Sequence, residues 1–250
     1  MTKENNQKNK KENLDIEDLP KVWNEYAKVN EKLFNAPVFK EILKIFRNAI
    51  FPCPGGIVHV GGCGIGYNLS EILEKTQASK IIATDISSEM IKKAKERVSK
   101  LSKEYQNKIE FQQIDLSKNW PKGNFDAQIF QLLSNYLPYK GWHRIIEMAY
   151  KTMKDNGHIY SSEFLRGLNI SEVAKKHTFE QMLHTPISSF PAMLKSSKIL
   201  KCFDLMTENN IIQLGSKEEY LNYYKSVGFK NIEIVGEIFW GVAVVIRAQK

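Results

Sequence analysis

Short apolar runs alternate with amphipathic stretches over the middle of this chain, and the alternation has the periods of strands and helices in turn. Apolar segments at 57–60, 80–84, 109–113, 127–131 and 158–163 read as strands. Helical patterns at 67–75, 88–101 and 142–153 separate most of them. Strands separated by helices predict parallel pairing through right-handed crossovers. Asp155-Asn156-Gly157 supplies a stop before the strand that starts at His158.

Upstream, two aromatic-bearing helical patterns cover 19–32 and 36–50. The second places Val38, Ile42, Leu43, Ile45 and Phe46 on one face, and Pro52 and Pro54 end it. Downstream, 216–227 reads as a helix, Gly228-Phe229 as a turn, and 232–238 with 241–247 as two closing strands. Between them, 164–215 breaks the rhythm with Pro186, Pro191 and many Met, Phe and His residues, and is expected to be an insertion. The expected layout is a disordered leader over 1–18 and one domain over 19–250, with a helical lid (19–50) and a cap (164–215).

The most specific chemistry lies where the first strand ends. Gly56-Ile-Val-His-Val-Gly-Gly-Cys-Gly-Ile-Gly66 is a glycine cluster between an apolar run and a helix, and Asp85 ends the next strand, nineteen residues after Gly66. Backbone without Cβ atoms at a strand's carboxyl end admits a nucleoside, and an acid there accepts from ribose hydroxyls. A dinucleotide site needs G-x-G-x-x-G. Gly62, Gly64 and Gly66 give G-x-G-x-G instead, which argues against a nicotinamide dehydrogenase.

With these glycines and Asp85, the chain resembles class I S-adenosylmethionine-dependent methyltransferases over about 57–163 and 216–247. The resemblance implies an α/β fold: a Rossmann-like sheet of seven strands, mostly parallel with a final antiparallel strand. It implies S-adenosylmethionine as cofactor, with Gly62, Gly64 and Gly66 facing its amino-acid half and Asp85 holding the ribose. Ile86 then packs on adenine, Asp115 accepts from the adenine amino group, and Leu116 offers its backbone N–H to the ring. Gln131 ends the fourth strand facing the methionine half, Asp126 ties the start of that strand, and Tyr26 closes over the cofactor in a lid with Trp23 and Phe34. The chain departs from the family at Val60, beside His59, where an acid is usual.

Composition narrows the setting without fixing the acceptor. Over 250 residues, 42% are hydrophobic and 26% charged, ordinary for a globular protein with a sizeable core. No apolar run is long enough to cross a bilayer, and the polar first residues lack the core of a secretory signal. Cys53, Cys63 and Cys202 show neither paired nor metal-ligand spacing, so a reduced cytoplasmic setting and no metal are expected. The net charge of +8 does not come from 1–21, where five lysines meet five acids; 166–202 carries a local balance of +4. That charge suits an anionic acceptor, a membrane surface, nucleic acid, or solvated helix faces.

A small-molecule acceptor, with an apolar body and an anionic group, is the leading expectation. The rivals are an RNA or protein methyltransferase and a non-catalytic cofactor-binding protein. No motif fixes a catalytic base; His143, His177 and His184 are candidates near the expected mouth, with Tyr136, Tyr160 and Glu163 able to orient a substrate.

Overall fold

The structure is a computed structural model that describes residues 19–34, 37–50, 55–76, 78–133, 136–138, 140–167, 212–238, 241 and 243–250. The expected leader and most of the expected cap, with His177 and His184, lie outside the described residues.

Seven strands form one sheet: β1 (Gly56–Gly61), β2 (Ala78–Asp85), β3 (Ile109–Gln113), β4 (Phe125–Gln131), β5 (Met153–Phe164), β6 (Lys230–Ile238) and β7 (Ala243–Gln249). Their order is β3-β2-β1-β4-β5-β7-β6. The first five pair in parallel, and β7 runs antiparallel to both neighbours. The chain steps from β1 outward to β3 and then returns to β4 on β1's other side. A crevice therefore opens at the carboxyl ends of β1 and β4, where crossovers leave in opposite directions.

The described helices are α1 (Leu19–Phe34), α2 (Pro37–Ile50), α3 (Leu69–Thr76), α4 (Ser88–Val98), α5 (Lys103–Lys108), α6 (Gly141–Thr152) and α7 (Lys217–Val227). Successive strand side chains point to opposite faces, which divides the core in two. Val58, Val60, Ala127, Ile129 and Val245 pack with Phe46 and Ile50 of α2 and Leu69 and Ile72 of α3. Phe130, Val244 and Ile246 pack on the other face with Trp142 and Ile145 of α6 and Tyr220 and Tyr224 of α7.

Two elements differ from the pattern expected of them. The helix predicted over 88–101 ends at Val98, and a separate turn of helix follows over 103–108. Serine is the reason: Ser99 Oγ donates to the Glu96 carbonyl at 2.8 Å, while Ser102 Oγ accepts from Tyr105 N and restarts the helix. The strand predicted from His158 begins at Met153, which pairs with Phe125, and 154–157 bulge out, with Asn156 at φ 64°, before His158 pairs with Ala127. The turn expected at Asp155-Asn156-Gly157 thus lies inside a strand. Asp126 ties this corner, accepting from Ile57 N at 2.7 Å and from Lys154 Nζ at 2.9 and 3.0 Å.

Candidate functional site

The glycine loop leaves β1 at the crevice and is held from three sides. Cys63 N donates to the Thr84 carbonyl at 2.9 Å, Gly66 N to the Cys63 carbonyl at 3.0 Å, and Arg97 Nε of α4 to the Ile65 carbonyl at 3.2 Å. Arg97 also lies over the Tyr67 ring, 4.8 Å from its centroid. Gly62, Gly64 and Gly66 all have positive φ, a region costly for other residues. At Gly62 a Cβ would meet Leu133 at 2.9 Å, whereas at Gly64 it would meet nothing within 4 Å. Gly64 therefore presents bare backbone to open space.

Asp85 lies directly under that space. Its Oδ2 accepts from Gly64 N and its Oδ1 from Ser87 N, both at 2.9 Å. Burial pushes its carboxyl up to about 6, against the pull of backbone N–H groups of Ser87, Gly64 and Ile86. A carboxylate can accept about four hydrogen bonds, so the acid fixes the loop and keeps capacity for a ligand hydroxyl. Ile86 is half-buried, with its carbonyl accepting from Gln113 Nε2 at 3.2 Å.

Asp115 stands beside Asp85, joined by the bond from Ile114 N to the Asp85 carbonyl at 2.9 Å. Its Oδ1 accepts from both N and Oγ of Ser117, and Lys118 Nζ lies 3.5 Å from Oδ2. These bonds make a side-chain turn that orients the carboxylate. Leu116 is buried, and its carbonyl accepts from Arg144 Nε at 2.9 Å. Arg144 braces this turn from α6, a role no sequence motif signals.

Across the crevice, Asn68 Nδ2 donates to Gln131 Oε1 at 2.8 Å, joining the loop to the end of β4. Immediately after Gln131, Leu132 adopts φ 53°, and its N–H donates to Ser162 Oγ at 2.9 Å. A non-glycine residue in that region stores strain, held here at the mouth of the sheet.

Helix α1 lies against the loop. Ser87 Oγ donates to Asn24 Oδ1 at 2.6 Å, and Ala27 packs with Ile65 and Met90, flanked by Trp23, Tyr26 and Tyr67. Trp23 makes edge contacts with Tyr26 and Tyr136 at centroid distances of 5.6 and 4.9 Å, and Tyr136 reaches Phe164 at 6.4 Å. The structure thus brings Tyr26 and Tyr136 together beside the loop. Burial pushes Tyr26 up to about 12, and burial with the neighbouring Tyr26 raises Tyr136 further. Both phenols stay protonated near neutral pH and can donate or accept hydrogen bonds without acting as a ready base.

His143 falls elsewhere. It stacks on Tyr223 at 3.8 Å in the seam between α6 and α7, beside Lys140, Glu219 and Asn222, and its ring contacts are with Trp142 and Tyr223. Burial and Lys140 lower its pKa. Tyr160 and Glu163 are fully buried; Tyr160 packs in the α2 core, and Glu163 bears electrostatically on Tyr224. His59, beside Val60, is also fully buried, with Nδ1 3.1 Å from Gln128 Oε1 and Nε2 3.0 Å from Thr84 Oγ1. It belongs to the core, and Val60 packs among apolar side chains.

Residues 61–159, which hold the loop, Asp85, Asp115 and Gln131, match the family model of a methyltransferase domain. Over that stretch the chain is similar to methyltransferase domains. Solved structures share its fold. Human N-acetylserotonin methyltransferase in complex with S-adenosylmethionine is 18% identical, aligned over 92% of this chain and 56% of its own, with a TM-score of 0.55. This chain therefore spans little more than half of that protein's length. DhpI in complex with S-adenosylhomocysteine is 14% identical over 93% of this chain and 95% of its own, at 0.61. The N-methyltransferase NodS from Bradyrhizobium japonicum WM9, in complex with S-adenosylhomocysteine, is 12% identical over 91% and 98%, at 0.56. No curated protein matches the chain in sequence. Among the described residues, no helix is long and apolar enough to cross a membrane.

Proposed function

We propose that the chain transfers a methyl group from S-adenosylmethionine to a small-molecule acceptor. The reading rests chiefly on the coincidence, at one topological switch point, of the open face of Gly64, the buried acceptor Asp85 and the Asn68–Gln131 pair. These residues fit the cofactor's shape and polarity. Asp85 would take the ribose, Ile86, Asp115 and Leu116 the adenine, and the backbone of Gly62, Gly64 and Gly66, with Gln131, the amino-acid half. Tyr26, beside Ile65, would cover it.

The cofactor supplies a methyl group already activated on a sulfonium, so this chain's residues mainly align the acceptor and exclude water. Tyr136, beside Tyr26 and Trp23, would orient an acceptor with its hydroxyl. Two of the solved structures named above are an N-acetylserotonin methyltransferase and an N-methyltransferase, which supports a small acceptor here. An apolar body with an anionic group fits the composition of 164–215, and the unpaired spacing of the cysteines fits a cytoplasmic setting.

The test is incubation with S-adenosylmethionine labelled in the methyl group and a cell extract separated into small-molecule, RNA and protein fractions. Label in the small-molecule fraction, lost in Asp85→Ala, is expected. Label confined to RNA or protein overturns the acceptor class. Binding without transfer to any fraction favours a cofactor-binding role over an enzyme.

A further inference from the structure

Asn68 is a helix-capping residue that does not cap. Its backbone carbonyl accepts the first bond of α3, from Ile72 N at 2.9 Å, so it occupies the position where an Asn side chain ordinarily turns back onto the first helical N–H groups. Here the side chain turns the other way. Nδ2 donates across the crevice to Gln131 Oε1, and Oδ1 is buried with no hydrogen-bond partner among the described residues. A buried carbonyl oxygen without a donor is costly, and forgoing the cap adds to that cost.

The position of this oxygen restricts what would satisfy it. It sits between the glycine loop and the end of β4, the side of the site opposite Asp85 at the end of β2 and Asp115 just after β3. Val60 and Gly61, at the end of β1, bring no charge there, so no carboxylate on β1 competes for a cation. A ligand whose nucleoside lies over Asp85 extends its other end toward Asn68, and an acceptor-only oxygen there selects an N–H donor.

Resting on the functional reading above, we propose that Asn68 is a specificity-determining residue that binds the cofactor's α-ammonium group through Oδ1, held in place by Gln131. A neutral amide thus does here what a charged side chain on β1 would otherwise do. Gln131 acts as a positioning residue, fixing which end of the Asn68 amide faces the ligand.

The proposal is tested by calorimetric binding of three probes to the full chain: S-adenosylhomocysteine, its analogue lacking only the amino group, and its analogue lacking only the carboxyl group. Asn68→Leu should weaken S-adenosylhomocysteine and the decarboxylated analogue by about tenfold or more, the scale of a hydrogen bond to a charged group. It should leave the deaminated analogue unchanged. Asn68→Asp should bind S-adenosylhomocysteine at least as well as the wild type, which also guards against misfolding of the leucine variant. An equal loss for all three probes, or a loss spared only by the decarboxylated one, overturns the assignment while the functional reading stands. Failure of the wild type to bind any probe overturns both.

Discussion

The middle of the sheet and its carboxyl edge both bury polar side chains, and they treat them in opposite ways. In the middle, His59, Thr84, Gln128, Thr152 and Trp120 close on one another. Gln128 Nε2 donates to the Ala149 carbonyl at 2.8 Å and to Thr152 Oγ1 at 3.2 Å, Trp120 Nε1 donates to the same hydroxyl at 3.1 Å, and Thr152 Oγ1 donates to the Met148 carbonyl. Since the Gln128 amide spends its N–H groups there, its oxygen accepts from His59 Nδ1–H, which fixes the tautomer and leaves His59 Nε2 to accept from Thr84. At the carboxyl edge, one residue past Thr84, Asp85 keeps acceptor capacity, and Asn68 Oδ1, just before α3, has no partner among the described residues. Polar groups that are satisfied by the protein serve the fold; those left with capacity mark where a ligand completes the structure.

The sharpest break of this contrast is Gln128→Leu. It leaves His59 Nδ1–H and the Ala149 carbonyl without the Gln128 amide, each costing about 1–3 kcal/mol, so denaturant unfolding should show a loss of about 2–6 kcal/mol. Cofactor affinity of the folded variant should be unchanged. A matching drop in affinity would mean that the two regions are not separate.

Proton linkage separates them next. Burial lowers His59 from 6.5 to about 4, so the folded chain binds fewer protons than the unfolded one in that window. Its contribution is fully present above pH 6.5 and is lost on acidification toward pH 4, by about 3 kcal/mol. Asp85 behaves oppositely: with its pKa raised from 3.8 to about 6, its contribution is fully present below pH 3.8 and is lost as pH rises through 6, again by about 3 kcal/mol. Over the shared window the two slopes offset. Asp85→Asn should therefore unmask a steep rise of stability between pH 4 and 6.5, read from melting temperatures across that range; a flat profile in the variant would contradict the His59 assignment.

Smaller effects sharpen the edge. Asp85→Ala should cost about 1.5–3 kcal/mol in S-adenosylhomocysteine affinity, as expected for hydrogen bonds to a charged group. Gly64→Ala should cost the fold only about 1–2 kcal/mol, the penalty of a left-handed conformation, because its Cβ meets nothing within 4 Å among the described residues. Its methyl group would occupy ligand space, so affinity should fall more than stability. Equal binding by Gly64→Ala and wild type would place the ligand elsewhere.

Much of this was legible in the sequence. Short apolar runs set β1 to β4 to within two or three residues, because those strands carry their own hydrophobic signal. The glycine spacing separated a nucleoside site from a dinucleotide one, since backbone approach demands glycine at fixed places. The split of α4 from α5 was hidden because apolar periodicity continues through Leu101 and Tyr105 while the serines between them break the helix locally. The early start of β5 was hidden because Asp155-Asn156-Gly157, a natural terminator, forms a bulge once Lys154 reaches Asp126. Asn68 was missed because the helical pattern over 67–75 put it inside the helix, and only the fold shows it just before α3 with its side chain turned to Gln131. Likewise His143 stands near the mouth in sequence order, but helix α7, distant along the chain, captures it in a seam.

The central claim is that the carboxyl edge of β1, β2 and β4 is built for S-adenosylmethionine, and calorimetric titration of the wild-type chain with S-adenosylmethionine, S-adenosylhomocysteine and NAD tests it most directly. The account predicts saturable binding of the first two, weakened in Asp85→Ala, with none for NAD. Binding of NAD alone, or no binding of either adenosyl ligand to a folded chain, would contradict it.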